Sequence, residues 1–474
     1  MKKIIRTIKY EPENLKNNSS IFKIIRVLFI ILLDSSILMS GEHLSAQPDQ
    51  DVIVEEADLA TCLKYAMAHQ PLIQQLRLSE DITRQEAGIA LSDWLPQIDA
   101  NAGLQRYINQ PVSIFPDFTN PSGPEREITI GVKNTSSLQF SVSQVLFNND
   151  VFIAGKTARY YRLQSTQTTT EMKIDLVVRV SKAFYDVLLS EANLDFLNED
   201  IIRIGKSMKD AYSQYESGVS DKIDYQRALI SLNNTKAEIY GTRETIKAKY
   251  TYLKELMGYP QDKPLTIVYD SFGMLEQAGI DTSLVPVYQN RIEYELLRTQ
   301  LRLQRFSISH SQLGFLPALS VFGNYNIVYQ NDNFSDLYDR SFPNSTVGLS
   351  LSYPLFEGTR KLRQVKMAKL QYDYLALDSI NLKNSMKTEF SQAMSSYKSY
   401  LKAYEEAKEN AKIAKEVYST VKYQYDQGIK TFLEVIVSET DLRTSRINEL
   451  NALYRLLAGK LDVERALGNI SVNY

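Results

Sequence analysis

The sequence predicts an α+β membrane protein in which one helix-strand-strand-helix unit occurs twice, and three observations support this fold class. A Tyr-x-x-Gly motif appears twice, ending in Gly218 and Gly428. Residues 152–217 and 359–427 contain no proline and are long enough for single helices of roughly 100 Å. Before each of these stretches lie segments in which apolar and polar residues alternate, the pattern of β-strands with two different faces.

Composition places the chain among folded proteins. Of its 474 residues, 44% are hydrophobic and 23% are charged, far from the composition of disordered chains. The formal net charge is -2 and no block of like charge stands out, which excludes nucleic acid as an expected partner.

The N-terminus has the pattern of an export signal. Several lysines and arginines precede an apolar stretch from Val27 to Met39, and Leu44-Ser45-Ala46 then provides a cleavage site. The apolar stretch is too short for a membrane-spanning helix, the alternative interpretation. We therefore predict a signal peptide over residues 1–46 and export of the mature chain. The single cysteine, Cys62, is expected to be a buried structural thiol.

The repeat divides the chain into two halves. WLPQIDANAGLQ at 94–105 corresponds to FLPALSVFGNYN at 315–326, and each begins its copy's first strand. The first structural repeat is predicted at 47–258, a linker at 259–283 and the second repeat at 284–474.

Two strands are predicted in each copy, at about 97–108 and 136–148 in the first and about 317–329 and 345–357 in the second. One face of these segments is apolar and the other polar, as in a barrel with lipid outside and water inside. A sandwich with one solvated face would alternate in the same way. The loops between the paired strands, 109–127 and 329–345, are rich in proline, asparagine and aspartate and are expected at the surface.

The long helices are predicted to form antiparallel coiled-coil hairpins at about 152–258 and 359–468. Apolar residues follow heptad spacing, which favours packing against another helix over a cofactor site: Ile201, Ile204, Met208, Ala211 and Tyr215. Gly218 and Gly428 stand where each long helix ends and the chain reverses, a turn that favours left-handed backbone.

Membrane insertion would require several chains. Open strand edges are not tolerated in lipid, and four strands are fewer than the eight of small transmembrane barrels. Cyclic association of identical chains is the economical way to close such a barrel. The sequence therefore predicts an oligomer.

The export signal, the duplicated unit, the Leu-Pro at each first strand, the Leu-Phe at the end of each second strand and the Tyr-x-x-Gly motifs together resemble the TolC-like outer-membrane efflux proteins over residues 55 to about 470. The resemblance implies a trimer with a shared 12-stranded barrel, continued into the periplasm as a helical tunnel. It also implies a passive exit duct of a tripartite efflux or type I secretion system. Expected partners are outer-membrane lipid, a periplasmic adaptor and an inner-membrane pump of the RND or ABC type, with no cofactor.

The same resemblance suggests site residues at the hairpin tips. A gate is expected there, with Asp224 and Lys430 as an oppositely charged clasp and Tyr425 as a hydrogen-bond donor. Glu434 matches the first residue of an acidic ring, whereas Val437 stands where a second acid is expected. The adaptor is expected to dock at the tips, which carry Tyr215, Gly218 and Gly428.

Other classes of function have weaker support. His69 and His310 stand in unrelated helical segments, with no metal-ligand spacing or glycine-rich phosphate loop, so an enzyme is not expected. The alternative to a duct is a non-transporting protein, either a periplasmic coiled-coil scaffold or a surface adhesin that displays the two long loops.

Overall fold

The computed structural model describes residues 56–115, 126–268 and 279–474, all within one compact unit, Glu55–Tyr474. The predicted signal peptide, the middle of the first long loop and part of the predicted linker lie outside the described residues. Within the described ranges, no helix is both long and apolar enough to cross a membrane.

The first half of the chain begins with a two-residue strand and two helices that precede the long strands. Its elements are β1 (Glu56–Ala57), α1 (Leu59–His69), α2 (Pro71–Ser92), β2 (Gln97–Arg106), β3 (Val112–Phe115), β4 (Arg126–Thr129), β5 (Asn134–Phe147), α3 (Asn149–Glu216) and α4 (Lys222–Met257).

The second half repeats the order of a helix, two long strands, a long helix and a return helix. Its elements are β6 (Thr266–Ile267), a 3₁₀ turn (Tyr288–Asn290), α5 (Ile292–Leu313), β7 (Ala318–Asn331), β8 (Ser341–Ser352), α6 (Arg360–Asp426) and α7 (Phe432–Leu467). The hairpin of β3 and β4 has no counterpart here and lies where the sequence predicted only a loop.

The long strands form one antiparallel sheet in the order β2-β5-β7-β8, so the two copies meet at β5 and β7. Its register places residues of similar polarity next to one another across all four strands. One face carries the row Ile98, Val142, Gly323 and Val347, while the next row, on the other face, is Asp99, Ser141, Asn324 and Thr346. The sheet therefore has an apolar face and a polar face, as the alternation predicted.

The fourth long strand differs from its predicted bounds. β8 runs from Ser341 to Ser352 and does not continue to about residue 357. Pro354 follows shortly after, and its missing N–H group cannot donate to a strand ladder. The corresponding strand of the first copy, β5, has no proline at this point and continues to Phe147.

Each long helix packs against more than one partner. α3 has 68 residues and α6 has 67, whereas the return helices α4 and α7 have 36 residues each. A return helix therefore accompanies only about half of its long helix. The shorter helices supply the remaining contacts: α2 and α5 pack on α3, and α5 also packs on α6. The sequence had predicted only the hairpin partner.

Both return helices end at a glycine that lies against the backbone of an earlier segment. Gly258 has a φ of 69°, and a Cβ there would come within 2.7 Å of the His69 carbonyl oxygen. Gly468 has a φ of 77° and meets the Asn290 carbonyl oxygen in the same way, at 2.6 Å. These contacts fix the ends of α4 and α7 at equivalent places in the two copies.

We expect Gly258→Ala to destabilise the fold by about 2 kcal/mol or more, because alanine would be strained at positive φ and would contact backbone. Gly241→Ala is the matched control in the same helix, where an added Cβ meets nothing within 4 Å. That control should gain about 0.5–1 kcal/mol. Thermal unfolding followed by circular dichroism measures both, and equal melting temperatures would contradict the prediction.

Candidate functional site

The two hairpin tips have the same backbone geometry. Gly218 and Gly428 each have a φ of 74°. The Gly218 N–H donates to the Tyr215 carbonyl, and the Gly428 N–H donates to the Tyr425 carbonyl. The residue after each glycine donates to the carbonyl of the residue before that tyrosine, Gln214 in the first copy and Gln424 in the second. This pattern is a Schellman motif. The prediction that these glycines adopt left-handed backbone is confirmed.

The return helices begin with side-chain caps a few residues after the glycines. Asp221 accepts a hydrogen bond from the Ile223 N–H at the start of α4. Thr431 caps α7 and forms a capping box with Glu434, whose carboxylate accepts a hydrogen bond of 2.9 Å from the Thr431 N–H. Each tip is thus a short turn closed by caps on both sides.

The predicted clasp between Asp224 and Lys430 is not formed within the chain. The Lys430 ammonium lies 2.5 Å from a carboxylate oxygen of Glu434, one helical turn further on. The Asp224 carboxylate accepts a hydrogen bond of 2.9 Å from the Ser220 hydroxyl. Each of the two side chains has a local partner, because a polar group four residues away is within its reach.

These contacts also change the acidity of Glu434. Lys430 and then Thr431 lower the pKa of this carboxyl from 4.5 to about 2. The ionised form therefore stabilises the tip above about pH 4.5, and this contribution is lost as the pH falls towards 2. Glu434 carries its charge throughout the neutral range, with a cation beside it.

Tyr425 makes the one direct hydrogen bond between hairpin tips that the described residues show. Its hydroxyl donates to the side-chain oxygen of Gln214 on α3, at 2.9 Å. Burial raises the pKa of the Tyr425 hydroxyl above its usual value, so it remains a donor at neutral pH. Tyr425 was predicted as a donor, but its partner Gln214 was not.

Phe432 is the main tip residue that sequence reasoning missed. Its side chain is 3% exposed and packs in a cluster with Ala211 of α3 and Ala228 of α4. The Tyr425 ring lies 5.6 Å away, centroid to centroid. A large aromatic residue directly after the cap Thr431 was the available signal. The second hairpin therefore inserts an apolar side chain between the helices of the first.

The second acidic position is not restored by a neighbour. Val437, which stands there, is 51% exposed, whereas Glu439 is 2% exposed and lies inside the helical bundle.

Tyr215, predicted at the docking surface, is 37% exposed. Among the residues that the structure describes, no group of three or more His, Cys, Asp and Glu side chains is placed to hold a metal ion.

An open sheet with one apolar and one polar face, continuous with two long helical hairpins, defines the subunit of an outer-membrane channel. The profile of one family, "Outer membrane efflux protein", matches residues 62–259 and 290–469. The chain belongs to this family. Its location is accordingly the outer membrane, with the helices extending into the periplasm.

Individual relatives are distant in sequence but span most of the chain. Outer membrane protein TolC of Vibrio cholerae is 22% identical over 87% of this chain and 91% of its own length. The alkaline protease secretion protein AprF of Pseudomonas aeruginosa is 23% identical, over 70% of this chain and 71% of its own. The crystal structure of the outer membrane protein VceC from Vibrio cholerae superposes with a TM-score of 0.66, at 16% identity, covering 86% of this chain and 96% of that one.

Proposed function

We propose that three copies of this chain form a passive exit duct, in which their sheets close one 12-stranded barrel and their coiled-coil hairpins form a periplasmic tunnel. One observation carries the proposal: the four-stranded sheet ends in two edge strands, β2 and β8, while its apolar face is exposed. Val347, Leu349 and Leu351 of β8 are 82%, 71% and 67% exposed. Exposed apolar rows and open edges are both costly in water, and a closed barrel in lipid removes both costs.

The duct would act between two membranes without chemistry of its own. Its partners would be a periplasmic adaptor and an inner-membrane pump, of the RND type in efflux or the ABC type in type I secretion. The names of the TolC and AprF relatives support such a role, since the second is a secretion protein. The energy for transport would come from the pump, and the duct needs no cofactor.

The gate would lie at the hairpin tips. The bond from Tyr425 to Gln214 and the insertion of Phe432 hold the second hairpin against the first. Lys430 and Glu434 would place paired charges at the constriction, and Asp224 would lie beside them on the first hairpin. The turns at Tyr215, Gly218 and Gly428 would receive the adaptor, because they are the exposed ends of the bundle.

Disulfide cross-linking between edge strands tests the proposed assembly. Asn101→Cys on β2 is combined in turn with Asn344→Cys, Thr346→Cys or Ser350→Cys on β8, since barrel strands are staggered and the facing pair must be found by trial. The native Cys62 is buried and does not compete. We expect at least one pair to give a ladder that ends at the covalent trimer on denaturing gels.

The single-cysteine variants are the controls and should give no covalent species beyond a dimer. A ladder that continues past three chains, or stops at two, would contradict the trimer. A mature chain that remains a soluble monomer would contradict the duct and favour the scaffold.

A further inference from the structure

A buried group of charges joins the two hairpins inside the helical bundle, apart from the tip contacts. Asp200 of α3 is 0% exposed and Glu439 of α7 is 2% exposed. Arg443, one turn beyond Glu439, donates from Nε to the Asp200 carboxylate at 2.8 Å. Because α3 belongs to the first hairpin and α7 to the second, this ion pair connects them directly.

All four hairpin helices contribute charged or titratable groups to this site. Arg203 of α3 lies 2.7 Å from Asp200, and Glu238 of α4 lies 4.0 Å from Arg443. From α6, the Lys422 cation acts electrostatically on the Glu439 carboxyl. The Tyr418 hydroxyl, on the same helix, is in turn affected by the charge of Glu439. Lys422 forms its own ion pair with Asp426, at 2.7 Å.

Glu439 is the member of this group that lacks a partner. Its Oε1 atom is buried and accepts no hydrogen bond, although Nη2 of Arg443 and Nε of Arg203 are also unpartnered. A buried charged carboxylate without a hydrogen bond is costly, whereas a protonated one is much less so. Arg443 donates to the Asp200 carboxylate, whereas the Glu439 Oε1 atom receives no hydrogen bond from it.

We propose that Asp200, Arg443 and Glu439 form a buried latch between the hairpins, which holds the duct closed while Glu439 is protonated and weakens when that carboxyl ionises. The latch rests on the proposed function, because it requires that separation of the two hairpins opens the duct. An ionised Glu439 is a buried charge and also brings a second negative charge into the site of Asp200, and both effects cost free energy. Opening relieves both effects by admitting water.

The direction of the pH effect follows from the two states. Burial, followed by the charge of Asp200, raises the pKa of Glu439 from 4.5 to about 7 in the closed bundle, against the lowering effect of Arg443, Arg203 and Lys422. Once exposed, the carboxyl returns towards 4.5. The proton thus favours the closed state fully below about pH 4.5, and this preference is lost as the pH rises through about 7. The closed-to-open ratio should fall on the order of 100-fold across that range.

Single-channel recording in planar bilayers tests the latch, with the full-length mature protein at pH values between about 5 and 8. We expect the open probability of the wild type to rise with pH. Glu439→Gln, which cannot ionise, should remain at the low acidic value throughout. Glu439→Met is equally neutral and is measured beside it, so that the result does not depend on one variant assembling. Asp441→Asn removes an exposed carboxylate from the same helix and should follow the wild type.

Other outcomes would overturn the proposal in distinguishable ways. A wild type whose open probability does not change with pH would overturn the latch, as would neutral variants that keep the wild-type pH dependence. The duct would stand in both cases, since the channels conduct. Correctly inserted protein that conducts at no pH, even with Phe432→Ala, would overturn the duct and the latch with it.

Discussion

Replacing Phe432 with alanine is expected to open the duct, raising its mean conductance severalfold. The ring is 3% exposed and fills the space against Ala211 and Ala228 of the other hairpin. Loss of a buried phenylalanine side chain costs about 3 kcal/mol where neighbours cannot collapse into the cavity. If even half of that energy distinguishes the closed from the open arrangement, the closed-to-open ratio changes by roughly 10-fold.

The matched control for this prediction is Leu433→Ala, which truncates an apolar side chain on the same helix that is 46% exposed. Planar-bilayer conductance of the purified protein measures both variants. Asp224→Ala combined with Lys430→Ala should have a smaller effect than Phe432→Ala, because these two residues do not pair within the chain. A larger effect of the charge variants would mean that the gate depends on contacts between chains.

Replacing Val347 with arginine is expected to block assembly in the outer membrane. Val347 is 82% exposed on the apolar row that also contains Ile98 and Val142. A charged residue on the lipid face of a barrel costs about 2–4 kcal/mol near the bilayer midplane. In a trimer the cost arises three times, because every chain carries the substitution.

Thr346→Arg provides the control, one residue away on the polar row with Asp99 and Asn324. Its charge would face the water-filled interior and should leave assembly nearly unchanged. The amount of heat-sensitive oligomer in the outer-membrane fraction measures both variants. Equal loss in both would mean that the two faces are not assigned as proposed.

The sequence predicted local features well where a short-range rule governs them. Alternation placed Val142 and Ser141 on opposite faces of β5, as the register shows. The left-handed turns at Gly218 and Gly428 were predictable because the backbone at a helix end admits few residues other than glycine. The end of β8 was misjudged because the repeat was given more weight than Pro354, which has no N–H group to donate to a ladder.

Contacts between the two halves were beyond sequence reasoning. Gln214 and Tyr425 stand far apart in the chain, as do Asp200 and Arg443. No periodicity selects such pairs, since many glutamines and carboxylates on the helices have similar neighbours. Asp224 and Lys430 do not pair within the chain for a related reason: each side chain has a local partner that costs less conformational entropy to reach.

The equal length of the two return helices, 36 residues each, limits how the periplasmic reach of this protein can evolve. Both helices start beside a glycine turn and finish at a glycine fixed against the backbone. A heptad added to one hairpin alone would carry its end about 10 Å beyond the other and separate Phe432 from Ala211. The four helices must therefore change length together, by whole heptads. The length of the duplicated unit then sets the distance that the protein spans to reach its partners.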